Sequence, residues 1–252
     1  MSVRRLITIA FSLAAGALPV AGQDGAHWEW TVAPSVLAPS LSGSFYISGE
    51  NFLGQLADPN NGGTLYVEGR QGEWAFVLDG LYLSLNQPVV SDCCSPGGGG
   101  AIDSGGTQGT QWSVQALALR RIVKSLELAF GVAGNRLQAS VNVHGMTGGG
   151  PPPVPFAISA SQTELWAMGV LGARWTPVDA AHWRATLFGE LGYGSADNKM
   201  WQVLPSVGYR IGPVVEVAAQ YRVMHTVYSA GATWFGYDVR MSSPALAVAM
   251  RF

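Results

Sequence analysis

Four histidines, His27, His144, His182 and His225, are the side chains able to act as general bases near neutral pH, so their neighbours decide which chemistry is open to this chain. A base must reach the proton of its nucleophile, which on an extended strand means residues spaced by two. Ser140, Asn142 and His144 have that spacing, and their strand phase places them on the inner face, away from any lipid substrate. No His-x-Ser element occurs. An acid and a histidine that activate water for peptide hydrolysis would need a pair such as His225 and Asp238, which face each other across the last hairpin without a second acidic pair nearby. The histidines are scattered and no His/Cys spacing fits a zinc site, so no metal and no cofactor is expected. The Gly97–Gly100 and Pro151–Pro153 runs lack a following Lys-Ser/Thr and read as loop material instead of a phosphate cradle. Cys93 and Cys94 are adjacent in a Gly-rich segment, where a vicinal disulfide is possible.

The elements that would hold such groups follow from composition. Only 12% of the residues are charged, against about 25% in a soluble domain, while 48% are hydrophobic. Part of this surface therefore faces something other than water. Beyond the N-terminal segment no run reaches the roughly 18 to 20 apolar residues of a membrane helix, so a membrane reading requires strands. The net charge of −2 and the lack of a basic cluster beyond Arg120, Arg121 and Lys124 exclude the electrostatics of a nucleic-acid binder. Residues 1–22 read as a signal peptide: Arg4 and Arg5, then an apolar run from Leu6 to Leu18, then small residues before Gln23.

Period-two alternation is the dominant local signal, and it separates a lipid-facing from a lumenal set. Between Glu216 and Tyr228, Glu216, Ala218, Gln220, Arg222 and Thr226 alternate with Val217, Ala219, Tyr221, Val223 and Val227. The same rule gives about ten strands, near 27–47, 63–70, 73–85, 110–121, 125–143, 162–175, 183–195, 199–211, 214–228 and 236–252, with eight or twelve as alternatives. Short connections alternate with long ones, as turns at one end of a barrel alternate with loops at the other. An even count leaves both termini on the periplasmic side. In the fifth strand Leu128, Phe130 and Val132 occupy even positions and Leu137, Ala139 and Val141 odd ones, so a bulge near Gly134-Asn135 is expected to re-aim the side chains. Trp166 falls in the inward phase.

Tryptophan marks the two membrane interfaces. Trp28, Trp30, Trp74, Trp175 and Trp183, with Tyr209, fall at one set of strand ends, while Trp112, Trp166, Trp201 and Trp234 fall toward the other. The inward phase collects Glu29, Glu68, Asp79, Glu127, Glu190 and Glu216 together with Arg70, Arg121, Arg174, Arg184, Arg210, Arg222 and Arg251. A salt-bridged interior that fixes the barrel is the first reading of this set, since buried charges need partners. A ring constricting a small anion-biased pore is the second.

The Trp28-Glu29-Trp30…Pro34 start, the Glu73-Trp74…Leu78-Asp79-Gly80-Leu81-Tyr82 strand and the tail Trp201-Gln202…Gly208-Tyr209-Arg210…Gln220-Tyr221-Arg222…Arg251-Phe252 resemble a widespread family of uncharacterised proteobacterial outer-membrane β-barrel proteins, within the OmpA- and omptin-like small barrels. The resemblance implies a fold and an address, the cell outer membrane of a Gram-negative bacterium, and no reaction. The last strand, with Leu246, Val248 and Met250 on one face before Phe252, resembles the signature read by the barrel-assembly machinery. The expectation is an all-β up-and-down transmembrane barrel over residues 23–252, monomeric, with lipid and the assembly machinery as partners. Its expected role is structural or weakly pore-forming. The alternative is a barrel-embedded hydrolase, a lipid A or phospholipid esterase or an omptin-like protease.

Overall fold

The computed structural model describes residues 27–47, 50–52, 61–88, 101–146, 155–195, 198–230 and 235–252, so residues 1–22, where a signal peptide is expected, Trp234 and the Cys93-Cys94 pair lie outside the described residues. All regular structure among these residues is antiparallel strand: β1 (Glu29–Leu37), β2 (Ser40–Ile47), β3 (Glu50–Phe52), β4 (Asn61–Gln71), β5 (Trp74–Pro88), β6 (Ala101–Val123), β7 (Leu126–Met146), β8 (Pro155–Asp179), β9 (Trp183–Gly194), β10 (Lys199–Ile211), β11 (Val215–Ala230) and β12 (Phe235–Arg251). Each strand from β4 to β12 pairs with its neighbours in sequence, and β12 closes the sheet on β1 and β2. β1 and β2 are one stave interrupted at Ala38-Pro39. Its register against β12 is unchanged across the break, from Leu37↔Ala245 to Leu41↔Met241. The result is a closed barrel of ten staves.

Following register partners once round from Thr31 returns to the first stave at Gly43, twelve residues further along. Ten strands with that stagger tilt by about 40° and leave an interior that side chains can fill. Tight turns join the staves at one end, with Gly72 (φ 61) and Gly212 (φ 72) supplying the left-handed residue that two of them require. We call this the turn end and the opposite one the loop end. Where β6 and β7 bend together no side chain fits at Gly131, since its Cβ would stand 2.0 Å from the Ala116 carbonyl oxygen.

Outward residues of the middle strands form an apolar belt that includes Phe76, Leu128, Phe130, Val132, Leu171, Leu191, Leu246 and Val248. Inward residues toward the turn end mix charged side chains with apolar ones such as Val77, Leu117 and Leu119. Toward the loop end they become apolar, with Leu83, Leu137, Met168, Met200, Met224 and Met241 buried in one cluster.

This inversion corrects the fifth-strand expectation. β7 pairs with β8 from Leu126 to Met146 without a register shift, and its odd residues from Glu127 to Ala139 stay inward. There is no bulge at Gly134-Asn135. At 21 residues the strand far exceeds the roughly 9 to 11 that cross a membrane, so its loop-end half projects past the apolar belt. There the outer face carries Arg136, Gln138, Asn142 and His144, while Leu137 and Ala139 pack inside. Ser140, Asn142 and His144 accordingly face outward, the reverse of the sequence expectation.

Candidate functional site

Side chains that fill the lumen occupy four levels. Nearest the turn end, Glu216 on β11 ion-pairs with Arg251 on β12 and lies 3.5 Å from Arg210 on β10. Arg210 also pairs with Asp179 and donates to the Ala180 carbonyl at 2.9 Å. The carboxylate of Glu216 occupies the space above Gly208, where a Cβ would collide with it.

The second level is the most highly charged. Arg174 on β8 reaches Glu68 on β4 at 2.6 Å and Glu127 on β7 at 2.5 Å, and Arg70 bridges the same two carboxylates at 2.9 and 2.7 Å. The Tyr66 hydroxyl sits 2.9 Å from Arg174 and donates to Glu68. β4 and β8 are four staves apart in a ring of ten, so Arg174 spans the barrel. Both glutamates and Arg174 are buried, and burial of charge at this cost is tolerated only because each carboxylate meets two guanidinium groups.

At mid-barrel, Asp79 on β5 accepts from Arg222 on β11 at 2.8 Å, again across four staves. Beside them the Gln115 and Gln202 amides donate to Glu190 at 2.6 and 3.2 Å. Above this level polar pairs give way to rings. Tyr237 on β12 donates to Gln111 on β6 at 2.9 Å, Tyr228 donates to Glu164 at 3.1 Å, and Trp166 stacks on Tyr228 with centroids 4.3 Å apart and planes at 17°.

Ten of the thirteen inward charges singled out from the sequence thus form acid–base pairs, Glu68, Arg70, Asp79, Arg121, Glu127, Arg174, Arg210, Glu216, Arg222 and Arg251, with those of Arg210, Glu216 and Arg251 formed between neighbouring staves. Glu190 is held by amides instead. Glu29 has the inward register but lies exposed at the turn-end rim and forms no ion pair among the described residues. Arg184 lines the lumen without a carboxylate partner. Sequence reasoning put Gln202 on the polar face with Arg210 but gave it no role, and passed over Tyr66, Gln111, Gln115 and Glu164. All five carry the inward phase, and a search for inward polar residues of either charge state would have found them.

The interface residues lie on the outer face. Trp28 stacks on Trp30 with centroids 5.9 Å apart, Trp30 covers Gly69, and Trp183 meets Tyr209 edge-on at 5.0 Å. Trp74 packs edge-on against Phe130, and Trp175 is exposed beside the same end. At the upper margin of the belt Trp112 packs on Tyr82 at 4.6 Å, while Trp201 lies between His225 and Arg240. Trp166 is the exception and packs inside. The Phe252 backbone exchanges hydrogen bonds of 3.0 and 2.9 Å with Trp30, which ties the chain end to the first stave, and its ring points outward.

Asn142 accepts from Ser159 at 2.7 Å, and no contact joins Ser140 to His144. His225 Nε2 lies 2.7 Å from Asp238 Oδ1 on the outer face against Trp201, without a nucleophile in the pair's hydrogen bonding. Among the described residues no group of three or more His, Cys, Asp or Glu could hold a metal ion.

Between the turn-end level and mid-barrel a cavity of about 140 Å³ remains, lined among others by Tyr66, Glu68, Asp79, Arg184, Glu216 and Arg251.

No family model and no curated protein matches this chain. Solved structures do. The outer-membrane protease OmpT of Escherichia coli superposes with a TM-score of 0.52 at 9% identity, covering 89% of this chain and 96% of that one. The attachment invasion locus protein Ail of Yersinia pestis gives 0.38 at 12% identity over 90% and 99%, and Neisserial surface protein A gives 0.37 at 15% over 91% and 100%. The fold is that of the ten-strand barrel shared with OmpT.

Proposed function

We propose that this chain is a monomeric outer-membrane barrel whose lumen is closed, and which serves as a membrane-embedded scaffold without catalytic role. The turn end is periplasmic and the loop end external. The leader expected in residues 1–22 delivers the chain across the inner membrane, and the amphipathic last strand ending at Phe252 presents it to the assembly machinery.

The observation that carries this reading is the set of contacts that run wall to wall at successive heights, Arg174 to Glu68, Arg222 to Asp79 and Tyr237 to Gln111. Ions would have to pass two buried charge clusters and then an apolar segment packed by Trp166 and four methionines. That segment is what disfavours the anion-biased pore, because among the described residues its inward polar groups, Gln111, Tyr228, Tyr237 and Glu164, include no cation to replace an anion's hydration. The outward apolar belt between two aromatic margins supports lipid as the surrounding medium.

Planar bilayers containing the refolded protein are expected to stay at baseline conductance in molar salt. Reproducible ohmic steps would overturn the closed lumen and favour the pore. Cleavage of labelled phospholipid or of a dibasic peptide, lost on His225→Ala, would favour the hydrolase.

A further inference from the structure

The periplasmic cavity has an unbalanced charge. Its lining holds four arginines, Arg174, Arg184, Arg222 and Arg251, and three carboxylates, Glu68, Asp79 and Glu216. Each carboxylate already belongs to an arginine: Glu68 to Arg174, Asp79 to Arg222 and Glu216 to Arg251. Arg184 is left over. Among the described residues it forms neither ion pair nor side-chain hydrogen bond, and its Nε is buried without a partner. Arg251 and Arg210 stand near it with their charges matched by Glu216 and Asp179, so the unmatched charge at this level is that of Arg184.

An arginine enclosed by a low-dielectric wall strongly favours a counter-ion. From these groups we infer that the cavity is a binding site for a small oxyanion entering from the periplasm, with Arg184 as its principal ligand. The guanidinium fork matches two oxygens of one anion. Thr186, Ser206 and Gln220 line the same space and supply neutral donors for the remaining oxygens. Thr186 and Ser206 are already joined hydroxyl to hydroxyl at 2.5 Å, so one proton of that pair is free to turn toward a ligand. A cavity of about 140 Å³ admits an ion the size of phosphate together with water. The site is a dead end, because mid-barrel above it is occupied by the Asp79–Arg222 and Glu190–Gln115 contacts. The anion is held there, and its binding does not depend on whether the external half conducts.

Calorimetric titration of the refolded protein with inorganic phosphate, in a zwitterionic detergent and low-chloride buffer, tests the site. Saturable one-to-one binding is expected, weakened by about tenfold or more in Arg184→Gln. Lys124→Gln, at an exposed turn of the same end and outside the cavity, is expected to bind as the parent does. Thr186→Val, which leaves every arginine in place, is expected to weaken binding less than Arg184→Gln. Each variant is first checked for the faster unheated gel mobility of a folded barrel. Absence of saturable binding by the parent protein, or equal binding by a folded Arg184→Gln variant, would overturn the proposal.

Discussion

Arg174→Gln is expected to destabilise the refolded barrel by about 3–5 kcal/mol in a urea titration. Arg174 is the cation shared by Glu68 and Glu127, and both carboxylates are buried. Removing it leaves the two buried carboxylates sharing Arg70, with Arg121 3.7 Å from Glu127, and strands the hydrogen bonds that Arg174 supplied. The size of the loss therefore reflects stranded carboxylates more than the intrinsic worth of an ion pair. A corollary separates the two: adding Glu68→Gln and Glu127→Gln to Arg174→Gln is expected to recover part of the stability, since the stranded charges disappear. Arg184→Gln provides the contrast. With no partner to strand, it is expected to shift the urea midpoint by no more than about 0.5 kcal/mol equivalent. Equal effects at positions 174 and 184 would contradict the assigned network.

A charge placed on the outer face is expected to be nearly as damaging, but only within the belt. Leu171 is 69% exposed in the isolated chain and lies in register between Phe130 and Leu191, both of which also point outward. In a bilayer this exposed surface becomes lipid contact, so Leu171→Arg is expected to cost about 2–4 kcal/mol when folding is measured into vesicles. Gln138 shares the outward phase but sits in the half of β7 that projects beyond the belt. Gln138→Arg is expected to cost about 0–1 kcal/mol. In a water-soluble barrel both substitutions would be nearly neutral, which makes the difference between them a test of the membrane assignment.

Alternation made the strands legible because period two is a property of each segment alone. The last four strands, where charged and apolar residues alternate cleanly, were placed to within a few residues: β11 runs Val215–Ala230 where 214–228 was expected. The first stave was less legible, since only pairing with β12 reveals that Pro39 interrupts it without changing its register. β6 and β8 begin or end well inside segments expected to be loops, because Gly-, Ser- and Thr-rich sequence can still complete a ladder once a long neighbour offers one.

Phase alone does not say which face is inside. Within β7 the apolar residues change face between Val132 and Leu137 because the outer medium changes while the backbone does not. A bulge would explain the same letters, and only the unbroken pairing decides between them. Pairing across the lumen was equally hidden. Arg174 and Glu68 are separated by 106 residues, and they meet because the barrel's stagger brings β4 and β8 to one height. The inward charge set could thus be read from the sequence as a list, whereas its partition into ion pairs, an amide-held Glu190 and an unmatched Arg184 could not.

The closed lumen is tested most directly by thiol accessibility. In a background with Cys93→Ser and Cys94→Ser, Thr186→Cys places a thiol in the turn-end cavity, and Leu83→Cys places one in the apolar segment, where Leu83 is 1% exposed. A water-soluble maleimide is expected to label Thr186→Cys rapidly in the folded barrel and Leu83→Cys only after unfolding. Equally fast labelling at both positions, in protein that retains the folded gel mobility, would show a continuous aqueous path and contradict the closed barrel.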